Sequence, residues 1–436
     1  MEMKTSLSEN AFTEKARCFS HDFLKCCICL SKCRDPRPLF TKKFYSTFVS
    51  ASQLLEDFLD IHGAKNNRNW YFYRELSAAV RQLSLASYSQ RHISNRLPFY
   101  NLSDIEKIKL DGEATLLFLN RTLIKMAPVI LDEARRLHIP IPEHGFDDSE
   151  FISVSTGEML EYDIDDEDKD QQKENIIKIA SDFLNIGRTF DQLAFYKPYN
   201  IDEIMALVPA KVNEVEIRRF EMLVHNLQSS FDTYVIHGGY QYGNRKMKEL
   251  RSFFSVVFHL MQMMGRLLHF YERHLHDAGY KNTYKNAQEK LSALIDPHQL
   301  LFYTINYGLN YVCHFLKTGE CLARQILNEN IERSSIAVNI PVKLGFHCRP
   351  SLLVAKIVQH YGGQVELCFG SSRFDASSVL NIQWAGGQIQ KENIKQVLFE
   401  GDVRALRDIK ILAGVNYGED TMGKGVPLPP ELKYLT

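Results

Sequence analysis

Along residues 51–330 apolar side chains recur at three- and four-residue steps, the period of a helix with one buried face. Leu54, Leu55, Phe58 and Leu59 begin the pattern. Leu76, Ala79, Val80, Leu83 and Leu85 continue it between Trp70 and Arg91. A third segment, Ser103 to His138, opens on a capping-box signature, Ser103 with Glu106 three residues on. Pro140 and Pro142 end it. After an acidic stretch, Glu161 to Asp170, the spacing predicts helices at about 172–194, 201–207, 213–235, 244–275, 284–294 and 297–330. Region 51–333 therefore reads as mostly α-helical, one bundle or two split by an acidic loop near 145–171.

After Arg333 the period changes. Val338, Ile340, Val342 and Leu344 alternate with Ala337, Asn339, Pro341 and Lys343, which predicts a half-buried strand. Pro341 cannot donate to a ladder, so the strand belongs at a sheet edge. Pro350 marks a helix start, and Gly362 and Gly363 mark its end. Val365, Leu367 and Phe369 predict a second strand, and Phe374 centres a third. Ser377 or Ser378 caps a second helix that ends at Gly386-Gly387. Lys395 to Glu400 is a fourth strand, and Asp402 caps a last helix through Leu406, Ile409 and Leu412. The order is β-α-β-β-α-β-α, with the helices on one face of an antiparallel sheet. The fold class expected is α+β multidomain. Residues 1–50 form a Cys-rich extension, 335–420 the mixed domain, and 421–436 a tail with three prolines between Asp420 and Thr436.

At 436 residues, two or three domains are expected. The formal net charge of −1 gives no basic field for nucleic acid. Five of the nine Cys lie between residues 18 and 33, and the apolar run Phe23–Leu30 is too short for a secretory signal and is broken by Lys25. A reduced, cytoplasmic protein is expected. The longest apolar run, Phe253 to Tyr271, contains His259, Gln262, Arg266 and His269, which suits a bundle helix and not a membrane span. His259 and His269 read as core histidines.

Cys26, Cys29 and Cys33 have a spacing open to zinc, yet the same spacing puts small apolar residues on one helical stripe. No second CxxC or His pair follows at a zinc-finger interval, so no metal is expected. The acidic stretch lacks the central Gly and final Glu of an EF-hand loop and reads as solvated. His237-Gly238-Gly239-Tyr240 reads as a turn after a helix. No Gly-rich phosphate loop or Walker sequence is present, so self-phosphorylation from ATP is not expected, and no cofactor is expected.

Gly345-Phe346-His347-Cys348-Arg349-Pro350, at a strand-to-helix junction, resembles the Gly-x-His-Ala-Arg-Pro phosphoacceptor motif of the HPr family of the bacterial phosphotransferase system. Cys348 stands where that family usually has Ala or Thr. Ser378-Val379-Leu380-Asn381-Ile382-Gln383 falls where the family places its regulatory serine and the start of its second helix. The resemblance covers about a fifth of the chain and leaves residues 1–330 unassigned. It implies an open-faced β-α-β-β-α-β-α sandwich. It further implies phosphoryl uptake on His347 from an Enzyme I-like donor, with Arg349 stabilising the phosphate.

A downstream phosphoacceptor or regulated protein, and a serine kinase acting on Ser378, are the other partners implied; Ser378 also reads as a plain N-cap. Cys348, Val379, Leu380 and Gln383 would lie on the partner-binding surface. Such a chain is a phosphoryl-accepting carrier or regulator, not a stand-alone catalyst. The alternative is an interaction scaffold whose C-terminal domain binds without phosphotransfer. Imidazole suits the carrier role because it is nucleophilic when neutral and gives a transferable N–P bond. A helix N-terminus adds about 0.3–1 kcal/mol for an anion, and a guanidinium contact about 1.5–3 kcal/mol.

Overall fold

Thr41 accepts a hydrogen bond from the Phe44 amide (3.2 Å) and so starts helix α2, Lys42–Ile61. Phe44, Tyr45, Phe48, Leu55, Phe58 and Leu59 are its buried face, while Leu54 points outward. Such amphipathic helices make up most of the protein. In this computed structural model residues 9–32, 39–100, 105–153, 172–193, 198–233, 245–276 and 281–435 are described, with Leu102, Leu160 and Phe195. The other helices are α1 Glu9–Lys32, α3 Tyr71–Arg96, α4 Ile105–Arg136, α5 Gln172–Asp191, α6 Ile201–Leu207, α7 Glu214–Phe231, α8 Arg245–Phe270, α9 Asn282–Leu294, α10 Pro297–Phe302, α11 Asn310–Asn330, α12 Cys348–Tyr361, α13 Val379–Lys391 and α14 Val403–Gly414. The strands are β1 Arg333–Asn339, β2 Val365–Phe369, β3 Ser372–Asp375 and β4 Gln396–Asp402. The class is α+β.

The capping residue Ser103, the acidic stretch Glu161–Asp170 and the turn His237–Tyr240 lie outside the described residues. One described helix, α4, is long and apolar enough to cross a membrane, and more than half of that apolar window is buried. The other long apolar run lies mostly in α8, with Phe253, Phe254, Val256, Val257, Leu260 and Met261 buried.

The chain divides into two units. The first comprises Met1–Ile164, Phe190–Asn226 and Arg251–Leu316. Its described part is helical. Within the Cys-rich stretch, α1 buries Phe23, Leu24, Cys26, Cys27 and Leu30, and Phe19 stacks on Phe58 of α2 (4.3 Å). The second unit comprises Asp165–Thr189, Leu227–Leu250 and Lys317–Thr436. It contains the sheet, ordered β1-β4-β2-β3, with every pairing antiparallel. Leu367 and Phe399, on facing strands, share a core with Val354, Ile357 and Val358 of α12, Ile382 and Ile389 of α13, and Leu406 and Ile409 of α14.

Two sequence expectations shift. The first strand ends at Asn339 and does not run on through Val342 and Leu344. Ile340 makes the last amide bond, to the Lys395 carbonyl (3.2 Å), and Pro341 has no amide to continue the ladder. Val342 and Leu344 are exposed (72% and 54%). The strand is still at the sheet edge. The second correction is α13, which runs through Gly386-Gly387 to Lys391. Gly386 is a contact point and not a stop: a Cβ there would lie 2.9 Å from the Phe346 carbonyl oxygen.

Gly401, in β4, has φ +149, and a Cβ there would sit 2.1 Å from the Gln364 carbonyl oxygen. Gly401→Ala must move two strands apart as well as strain its own backbone. We expect a loss of about 2 kcal/mol, read as a lower denaturant midpoint for the second unit.

Candidate functional site

The loop before α12 is shaped by Gly345 and Phe346. Gly345 has φ +60, and its carbonyl accepts from the His347 amide (2.8 Å), a tight turn centred on Phe346. Phe346 is buried, with its ring 5.3 Å from that of Tyr417 and 6.2 Å from that of Phe399. This anchor presents the next residue, His347, at the N-cap of α12. The His347 side chain makes no cap bond to the helix. The Ser351 amide donates to the His347 carbonyl (3.1 Å), and the Ser351 hydroxyl to the Phe346 carbonyl (3.0 Å). Pro350 has no amide. The amides of Cys348 and Arg349 have no acceptor among the described residues, so two donors and the positive helix end lie beside the imidazole.

The His347 ring is about three-tenths exposed (29%), and Nε2 lies 3.1 Å from each carboxylate oxygen of Glu419. Glu419 is itself buried (2% of its side chain is exposed). Only Oε2 has hydrogen-bond geometry to the ring; Oε1 has no hydrogen-bond partner among the described residues. An ionised carboxylate only accepts, so it is satisfied by an Nε2–H donor, which leaves the neutral ring's lone pair on Nδ1. Nδ1 has no partner among the described residues.

The segment that brings Glu419 here is ordered. Glu419 and Gly425 form an isolated antiparallel bridge, the Asp420 amide donates to the Lys424 carbonyl (2.8 Å), and Lys343 Nζ donates to the Met422 carbonyl (2.6 Å). Arg349 is exposed and lies against Gly425, where a Cβ would fall 1.8 Å from Nη1. Arg349 has no ion pair among the described residues. His347 and Arg349 thus meet the same turn, and neither contact was visible in the six-residue motif.

Cys348 and Gln383 come together, with Gln383 Nε2 3.1 Å from the Cys348 sulfur. Leu380 is exposed (75%), as are Trp384 (71%) and Leu352 (45%) on the same helix pair. Val379 is half-buried against the core. Ser378 caps α13, its hydroxyl accepting from the Asn381 amide (3.3 Å).

Elsewhere, Cys26 and Cys27 are buried, and burial pushes both thiols up, which keeps them protonated. Cys29 donates to the Phe146 carbonyl (3.4 Å), and Cys33 lies outside the described residues. Glu366, Cys368 and Glu400 hold ligand-type atoms within 4.8 Å of one another. Arg373 already occupies them, at 3.0 Å from Glu366, 2.6 Å from Glu400 and 3.7 Å from the Cys368 sulfur. No protein-family model, curated protein or solved structure matches the chain.

Proposed function

We propose that the chain is an HPr-like phosphoryl carrier or phosphorylation-responsive regulator that accepts a phosphoryl group on His347 from an Enzyme I-like donor. The observation that carries this reading is the imidazole itself, at an uncapped helix start, with Nε2 held by Glu419 and Nδ1 open. In the reaction the Nδ1 lone pair attacks the donor's phosphorus and the donor's P–N bond breaks, the electron pair leaving with the donor nitrogen. The Cys348 and Arg349 amides and the Arg349 guanidinium would then face the transferred dianion.

The test is incubation of the full chain with phosphoenolpyruvate and Enzyme I. The expected product carries one acid-labile phosphoryl group. No mass gain, with the donor active on its own carrier, would overturn the reading.

Glu419 acts here as a positioning residue. Removing the partner that fixes the tautomer of a metal-bound histidine costs about 10–100-fold, and the same order is expected for this imidazole. Glu419→Ala should slow phosphoryl uptake by about that factor, and Glu419→Gln, which keeps an acceptor oxygen, should restore most of it. Rapid-quench rates at saturating donor check this; a rate equal to wild type for Glu419→Ala would remove Glu419 from the mechanism.

A second reading is an interaction scaffold without phosphoryl traffic. Leu352, Leu380 and Trp384, exposed on the α12–α13 pair, favour it. It predicts partner binding that is indifferent to His347→Ala.

A further inference from the structure

The first unit contains a cluster that the phosphocarrier reading does not use. His92, near the end of α3, and His259, in α8, have ring centroids 3.9 Å apart, with planes tilted by 40°. Lys42, the first residue of α2, places Nζ 3.2 Å from His92 Nδ1 and 4.5 Å over the Tyr88 ring. Arg96 and Arg251 are the other charges that bear on His92. Lys42, His92, Arg96, Arg251 and His259 are all half-buried, drawn from three helices.

What distinguishes Lys42, His92, Arg96 and His259 is that no carboxylate pairs with them among the described residues. The other half-buried or buried histidines of this unit that pair with a charged side chain have carboxylates: His269 lies 2.9 Å from Glu214, and His274 lies 2.6 Å from Glu75. His259 Nδ1 meets Gln262 Oε1 (3.0 Å), and Arg96 lies over the Phe99 ring at 5.5 Å. Burial first, then these neighbouring cations, hold His92 down to about 3, and burial takes His259 to about 4. Both rings are therefore neutral near pH 7, and His92 can accept from the Lys42 ammonium. Cations brought together half out of water with no acid among them oppose folding. An anion placed among them would reverse that sign. The start of α2 adds its own positive end, because Lys42 is its first residue.

We propose that Lys42, His92, Arg96 and His259 form a binding site for a phosphate-class anion, independent of His347. The ammonium and guanidinium would contact its oxygens, and on binding at least one imidazole would take up a proton and become a further donor. Inorganic phosphate and a small phosphate monoester share this chemistry, so both serve as probes.

The experiment follows the histidine ring signals of the full chain by NMR at pH 7. Inorganic phosphate and glycerol phosphate are added in parallel, with chloride holding the ionic strength constant. The expected result is saturable movement of the His92 and His259 signals at millimolar concentrations. Tighter binding of the monoester would identify an esterified ligand, and equal binding the free ion. Lys42→Met should weaken binding by about tenfold or more, the size of one lost charge-assisted contact.

A second readout separates a binding role from a structural one. In phosphate-free buffer Lys42→Met should unfold at the same or higher denaturant concentration than wild type, since it removes a half-buried cation that has no carboxylate partner among the described residues. Should that variant fail to fold, Arg96→Gln supplies the same comparison. Absence of saturable shifts, wild-type phosphate affinity in Lys42→Met or Arg96→Gln, or destabilisation of a folded Lys42→Met without phosphate overturns the proposal.

Discussion

His347→Ala will abolish acid-labile phosphorylation of the chain by phosphoenolpyruvate and Enzyme I, leaving the mass unchanged. The expected loss is complete and not graded, because on the proposed reading the side chain is the group that becomes bonded to phosphorus. The nearest other nucleophile is the exposed Cys348 thiol, whose sulfur accepts a hydrogen bond from Gln383 Nε2. The substitution should leave the fold intact. His347 makes no cap bond, and its ring contacts Glu419 rather than the core. The one structural consequence is that the buried Glu419 carboxylate loses its partner, an expected cost of about 1–3 kcal/mol. His347→Gln, which offers an amide donor to Glu419, should recover that stability while remaining unphosphorylated. A chain that still gained a phosphoryl group after His347→Ala would place the acceptor elsewhere.

Much of this site was legible in the sequence because its parts are local. Gly345, His347 and Pro350 fall within six residues, and each acts on its own turn of chain. The N-caps Ser378 and Asp402 were readable for the same reason: the side chain bonds an amide two or three residues on. The edge position of β1 was also recoverable, since Pro341 confines its neighbourhood to an edge. What could not be read is long-range. Glu419 lies 72 residues from His347 and reaches it only because Phe346 and Tyr417 pack together and the following segment folds back through the Glu419–Gly425 bridge. Gly386 misled for an instructive reason: a glycine pair reads as a stop, but one of these two is small so that the Phe346 loop can approach the helix. The Lys42–His92–His259 cluster was hidden in the same way. His259 lies in a helix as expected but is half-buried, and nothing in its own segment shows that another imidazole and an ammonium lie beside it.

The largest stability effect is expected at Arg74, in α3. Its guanidinium is 7% exposed and meets three carboxylates: Glu56 at 2.9 Å, Asp60 at 2.8 Å and Glu75 at 2.9 Å. Glu56 and Glu75 are equally enclosed. Arg81 also reaches Glu56 (2.9 Å), Lys65 reaches Asp60 (2.9 Å), and His274 reaches Glu75 (2.6 Å). Burial alone would push all three carboxylates up. For Glu75, contacts with His274 and Arg74 outweigh it, and the group ends below its usual range; for Asp60, Arg74 and Lys65 do the same. Glu56 stays raised, because burial outweighs Arg74 and Arg81. Arg74→Leu would keep much of the volume and leave two buried carboxylates short of a cation, which typically costs about 3–5 kcal/mol. The pH dependence has a definite sign. Depressed carboxylates contribute stability that is present above their unfolded values, near 4, and is lost as pH falls through the lower folded values. In Arg74→Leu the same groups lose one of the cations that depress them, while Lys65 and His274 remain, so the penalty belongs to their charged forms. The gap between variant and wild type should therefore be widest near pH 7 and narrow as the solution is acidified toward pH 4. Urea midpoints at the two pH values measure it. A gap independent of pH would mean that packing, and not the ion network, accounts for the loss.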